Sequence, residues 1–160
     1  MIDTNAFRQT LGNFATGVTV VTMNDGGDDH AMTVNSFSSV SLDPPLVAYN
    51  ADKGTDSHDF TARAENYAVN VLGTDQEWLS NRFAGEHKEM DDPFEDVDTT
   101  RGETGALVFE DAIAYLDCSL AASHDAGDHT IYVGEVQEFG VNRPSADPLT
   151  FFRGEYGRIE

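Results

Sequence analysis

Hydrogen-bonding side chains crowd one stretch of this 160-residue chain. Thr33, Asn35, Ser36, Ser38, Ser39 and Ser41 fall within TVNSFSSVS, interleaved with Val34, Phe37 and Val40 and followed by Leu42-Asp43-Pro44-Pro45. Hydroxyl and amide groups, together with backbone N–H groups, bind anionic oxygens without a cation. Read as a strand, the stretch points Thr33, Asn35, Phe37, Ser39 and Ser41 to one side and Val34, Ser36, Ser38 and Val40 to the other. Neither side is cleanly apolar. The segment is therefore either a solvated polar edge or the wall of a polar ligand site.

Other chemistry is sparse. There is no GxSxG elbow, no GxGxxG turn and no P-loop. The histidines are scattered. His124 and His129 enclose Asp125 and Asp128, a weak metal corner with no CxxC or HxxxH beside it, so no metal site is expected. The single cysteine, Cys118, sits in the alternating run AYLDCSL and reads as a packed, inert thiol.

Charge narrows the partners. Asp and Glu number 29 against nine Lys and Arg, a formal charge of -20, and only Lys53 and Lys88 are lysines. Such a surface repels nucleic acid and anionic membranes. The acids are spread along the chain, and at about 1 M salt the Debye length of roughly 3 Å screens their repulsion. We read an adaptation to a salty cytoplasm, with an ordinary acidic domain as the alternative. The N-terminus lacks a basic region followed by an apolar core, and no window approaches a membrane span, so a soluble cytoplasmic protein is expected.

The elements that must carry these residues follow from periodicity. Asp3 or Thr4 caps a first helix with Phe7, Leu11 and Phe14 as its apolar stripe and Gly17 at its end. Val18 to Met23 reads as a strand, Asn24 to Asp29 as a hairpin turn, and His30 to Val40 as one returning strand. After the Pro44-Pro45 break, Leu46 to Asn50 resumes as a strand. Ser57 caps a short helix, NYAVNVL is a strand, and Asp75 caps the helix DQEWLSNRFAG. Glu86 to Gly105 is an acidic surface loop. Ala106 to Ala122 gives two strands, His129 to Phe139 one or two more, and Phe151-Phe152 a last short element. Six or seven strands joined by tight turns predict a mainly β antiparallel barrel or sandwich with short helices.

Six segments in order, LGNFATGVTVVT, AMTVNSFSSVSLDPPLV, YAVNVLGTDQEWLSNRFAG, AYLDCSL, GDHTIYVGEV and PLTFFRGEYG, resemble the flavin reductase-like family. Its members are small FMN-binding split-barrel proteins that reduce flavin with NAD(P)H. The resemblance spans Phe7 to about Gly157. It implies a single domain over residues 1–160, folded as a six-stranded antiparallel split β-barrel. It also implies a homodimer, with hydride transfer from NAD(P)H to FMN or FAD near the subunit interface. Reduced flavin would pass to a partner monooxygenase or a bound acceptor.

Carried over residue by residue, Thr33, Val34, Asn35 and Ser36 would contact the isoalloxazine and ribityl groups. Ser39 and Ser41 would lie nearer the ribityl and phosphate, and Lys53 and Ser57 would hold phosphate. Arg82 and Phe83 would lie beside the cofactor, and Thr16 and Gly17 would shape a nearby turn. His129 would act catalytically on the nicotinamide side. Ala31 stands where the family commonly has Gly, and aspartates intrude in DKGTDSHDF. Two rivals are a non-catalytic flavin-binding or electron-transfer module and a pyridoxamine-phosphate-oxidase-like enzyme. The dispersed cations argue against the anionic substrate of the latter.

Overall fold

The computed structural model describes all 160 residues, Met1–Glu160. A helix, α1 (Thr4–Leu11), precedes a two-residue strand β1 (Thr16–Gly17). Then come β2 (Thr19–Asn24), β3 (Asp29–Val34), β4 (Phe37–Leu42), β5 (Pro45–Asp52), α2 (Asp56–Ala64), β6 (Asn66–Val71) and α3 (Glu77–Phe83). The remainder is β7 (Thr99–Arg101), β8 (Leu107–Phe109), β9 (Ala114–Ala126), β10 (His129–Val141), β11 (Thr150–Phe152) and β12 (Glu155–Gly157).

Seven strands, rather than six, form the main sheet, in the order β3-β2-β6-β9-β10-β5-β4. Every neighbouring pair is antiparallel. The sheet does not close, because its edges β3 and β4 share no ladder. Yet only Asn35 and Ser36 separate those edges in sequence, so the sheet curls until they meet there. The hydroxyl-rich run is thus two strands, not one. Thr19 Oγ1 donates to the Val34 carbonyl at 2.7 Å, and Ser36 Oγ donates to the Asn50 carbonyl at 3.1 Å, tying the two halves to different strands.

The curl encloses Val21, Met23, Val34, Val47, Tyr49, Tyr67, Val69 and Tyr132, joined by Phe60 from α2. Burying a side chain of this size contributes about 1.5–3 kcal/mol. The buried tyrosines keep their hydroxyls paired: Tyr67 donates to the Tyr132 carbonyl at 3.0 Å, and Tyr132 to the His58 carbonyl at 2.8 Å. Gly134 is required here. A Cβ at that position would stand 2.7 Å from both Cys118 Cβ and the Tyr67 hydroxyl. Burial pushes the Cys118 thiol up to about 12, so it stays protonated. A second apolar cluster, including Val18, Leu72, Leu79, Phe83, Phe109 and Leu149, seats α3 against the sheet.

Local caps differ from simple spacing. Asp3 caps α1, accepting from the Asn5 and Ala6 amides, but the helix stops at Gly12 rather than Gly17. Its apolar stripe meets no core: Phe7, Leu11 and Phe14 are 54%, 57% and 78% exposed. Thr55, not Ser57, caps α2. Asp75 leads a 3-10 turn into α3, and Arg143 grips its carboxylate through bonds of 2.8 and 2.9 Å. The acidic loop holds a 3-10 turn at Glu86–Glu89 and β7, and Phe94 and Val97 pack on the second cluster.

Candidate functional site

The end of β3 and the start of α2 face α3 across a cavity of about 360 Å³. Met32, Thr33 and Asn35 form one wall, Thr55 and Ser57 another, and Ser80 and Phe83 of α3 a third. His87 and Lys88 lie beyond α3, and Phe151 and Tyr156 come from β11 and β12. An adjoining groove of about 1010 Å³ shares Val18, Asn35 and Phe151 with the cavity and adds Thr16, Gly17, Ser36 and Ser38. The two-residue junction between the sheet edges therefore stands where the two spaces join.

The walls are fixed by hydrogen bonds across distant segments. Thr33 Oγ1 donates to the Ser80 carbonyl at 2.6 Å, locking β3 to α3. The buried Ser80 hydroxyl lies 2.6 Å from the Tyr156 hydroxyl, which reaches Asn81 Oδ1 at 3.2 Å. The Tyr156 ring packs edge-on against Phe151 with centroids 5.4 Å apart. These bonds pre-order a wall of hydroxyl and aromatic groups.

His30 closes the cavity floor. Its Nε2 is 2.7 Å from Ser57 Oγ, and its ring stacks on Phe60 at 5.3 Å. Burial, reinforced by nearby His87, holds its pKa below the ordinary histidine value, with Asp56 opposing. A neutral imidazole results at neutral pH, donating or accepting without adding charge. Lys88 supplies the positive charge. It enters none of the chain's ion pairs.

The expected site residues divide into three groups. Thr33, Asn35, Ser57 and Phe83 line the cavity, and Thr16, Gly17, Asn35 and Ser36 line the groove. Val34 is turned into the core at 4% exposure, while Ser39 and Ser41 lie farther along β4, outside both spaces. Arg82 also lies outside, because its guanidinium donates to the carbonyls of Pro93 and Glu95 and stacks on Trp78. It does not pair with Asp75 or Glu77 across its own helix.

Lys53, just after β5, and His129, at the tip of the β9–β10 hairpin, line neither space. Lys53 pairs with Asp125, and His129 Nδ1 lies 2.7 Å from Asp128 Oδ1. Sequence reasoning did not select His30, Thr55, Ser80, His87, Lys88 or Tyr156. Lys88 carried a readable signal, being one of two lysines in so acidic a chain. No trio of His, Cys, Asp or Glu is grouped to hold a metal ion.

Residues 11–160 match the family described as flavin reductase like domain. The chain is 43% identical over 157 residues to FMN reductase (NADH) SmoA of Agrobacterium fabrum, covering 98% of this chain and 87% of that protein. It is 36% identical over 159 residues to HsaB of Rhodococcus jostii, the reductase subunit of a flavin-dependent monooxygenase, covering 99% and 80%. Among solved structures it is similar to the Streptomyces globisporus NADH:FAD oxidoreductase SgcE6 in complex with NAD and FAD fragments. The TM-score there is 0.91 with 37% identity, covering 99% of this chain and 93% of that one.

Proposed function

This chain belongs to the flavin reductase-like domain family, and we propose that it transfers a hydride from NADH to FMN or FAD held in the cavity beside β3. One observation carries the assignment to this cavity. Thr33 and Asn35, Ser57, and Phe83, from three separate stretches of the sequence, line one space together with the unpaired Lys88.

The residues present fit a flavin. Phe83, Phe151 and Tyr156 offer apolar and aromatic surface to a flat ring, while Thr33, Asn35, Ser57 and Ser80 offer donors and acceptors to its polar edge. Thr16 Oγ1 is buried without a hydrogen-bond partner on a residue that lines the groove. Neutral donors, with the free Lys88 set against the Asp56 carboxylate that also lines the cavity, leave this space far less negative than a surface of charge -20 whose bulk electrostatics oppose an anion's approach.

When bound, the nicotinamide supplies the hydride and the flavin the centre that accepts it. The chain's own contribution is placement. The Thr33–Ser80–Tyr156 links hold the wall at fixed geometry, and the neutral His30 anchors Ser57. Phe83 and Met32 exclude water from the ring's surroundings. No residue need act as a strong acid or base.

A homodimer belongs to this reading, supported by the exposed apolar face of α1 at Phe7 and Leu11 and by Phe14 just beyond it. His129, off its own cavity, is proposed to serve the nicotinamide side in that assembly, on the strength of the GDHTI resemblance. The curled sheet is read as the family's split barrel within a single domain, since its edges meet at Asn35-Ser36. Reduced flavin would serve a partner monooxygenase, as the name of HsaB describes for that relative. The proposed setting is a salty cytoplasm, supported by the acidic composition. No helix is long and apolar enough to cross a membrane.

The test is oxidation of NADH by purified protein in high salt, with and without FMN or FAD. Flavin-dependent loss of reduced-nicotinamide absorbance is expected. No turnover with NADH or NADPH, in a protein that still binds flavin, would favour the non-catalytic module.

A further inference from the structure

Two arginines that enter no ion pair and do not line the cavity meet at the outer end of the groove. A space of about 410 Å³ is lined by Arg8, Gln9, Gly12, Asn13, Arg153 and Gly154. Its lining holds two cations, two amides and no carboxylate or apolar side chain. That setting is unusual in a chain with 29 acids and nine cations. Aspartates claim Lys53, Arg63, Arg101 and Arg143, while Arg8 and Arg153 form no ion pair.

Arg153 is held in place. Its backbone is left-handed, with φ 52, a region that costs a non-glycine residue free energy. Its amide donates to the Gly12 carbonyl at 2.9 Å and its Nε to Asn13 Oδ1 at 2.9 Å. The guanidinium lies over the Phe152 ring, 4.7 Å from the centroid. With Nε engaged, the two terminal nitrogens remain free to grip an anion in the forked manner of arginine. Arg8 stands in the last turn of α1, on the same space.

The negative end of the α1 dipole opposes an anion here, but its carbonyls are already taken. The Gly12 amide binds the Arg8 carbonyl, and Asn13 Nδ2 binds those of Gln9 and Thr10. Two full positive charges then outweigh a quenched half-charge. Without an anion, those two guanidinium groups would share one space as like charges.

We propose that Arg8 and Arg153 form a phosphoanion subsite, taking the diphosphate of a dinucleotide whose ring lies in the cavity or a free phosphoanion of the same chemistry. The dinucleotide source rests on the flavin-and-nicotinamide reading of that cavity. Continuity supports it: Arg8, Gly12 and Gly154 also line the groove, which runs to Asn35 at the cavity.

The test compares the native protein with Arg8→Gln and with Arg8→Gln/Arg153→Gln at one fixed salt concentration. Arg8→Gln alone guards against misfolding, since that side chain is exposed and bonds to no other residue. Flavin fluorescence reads the affinities for riboflavin and FAD, and inorganic pyrophosphate is scored by the rise it gives in thermal midpoint. A loss of roughly tenfold or more in FAD affinity for the double variant, with riboflavin unchanged, supports the site and identifies the dinucleotide as its source. Loss of the pyrophosphate effect alone supports the site with a free phosphoanion as source. Unchanged FAD affinity together with an unchanged pyrophosphate effect overturns the proposal. Failure of the native protein to bind riboflavin would instead count against the flavin cavity, and the pyrophosphate comparison would still decide the subsite.

Discussion

Acidification should destabilise this protein through His30, and His30→Gln should remove that component. The imidazole is partly buried between Phe60, Ser57 and His87, and its folded pKa lies below its ordinary value. Burial is the main cause, and His87, Arg63 and Lys88 act in the same direction against Asp56. The unfolded chain therefore takes up the proton first as pH falls. The contribution is complete above the unfolded value, about pH 6.5, and is lost between that pH and the lower folded pKa. One proton sets an upper slope of about 1.4 kcal/mol per pH unit, reduced here because solvent still reaches part of the ring. Above pH 7 the variant should lose about 0.5–1.5 kcal/mol from the missing aromatic stack. Urea melts from pH 7.5 to pH 5 at constant ionic strength provide the comparison. The many carboxylates titrate in both proteins, so the difference curve isolates His30. The native protein should converge on the variant as pH falls. Parallel curves across that range would refute the buried, neutral imidazole.

Three further outcomes follow from the geometry. Gly134→Ala should lower stability by about 1–3 kcal/mol, because its Cβ overlaps Cys118 and Tyr67; an unchanged denaturation midpoint would contradict the packing described. Lys88→Gln should weaken riboflavin and FMN by similar factors, since the unpaired ammonium lines the cavity that takes the ring; fluorescence titrations of both flavins check this, and a loss confined to FMN would place the phosphate at Lys88 rather than at the arginines. Raising KCl from about 0.1 M to about 2 M should raise the thermal midpoint by screening the -20 charge, whereas an indifferent midpoint would remove the salt-adaptation reading.

Local patterns were legible where local physics decides them. The Asn24–Asp29 hairpin, the Asp3 cap and strands β2 and β6 followed from turn chemistry and periodicity. Thr33, Asn35, Ser57 and Phe83 were identified through the family resemblance, and they do line one cavity. Misreadings arose where a distant partner intervened. Asp75 looked like a helix cap, but Arg143, 68 residues away, captures its carboxylate. Lys53 matched a phosphate-binding position, and its partner in the fold, Asp125 on the β9–β10 hairpin, could not be read from spacing. His30 to Val40 alternated as one strand, but hydrogen bonds to β2 and β5 divide it at Asn35. Tyr156 and Ser80 gain meaning only as a pair 76 residues apart. The stripe at Phe7, Leu11 and Phe14 marked apolar surface, yet periodicity does not say whether the chain's own core covers it.

The cavity's role is tested most directly by filling it. Ala84 follows α3, lines the cavity and is exposed, so tryptophan there projects bulk into the space without displacing the core. Flavin affinity should be measured for native protein and Ala84→Trp by fluorescence titration, beside their denaturation midpoints. An unchanged midpoint and loss of flavin binding are expected. A folded Ala84→Trp variant that binds flavin with native affinity would contradict the cavity's role.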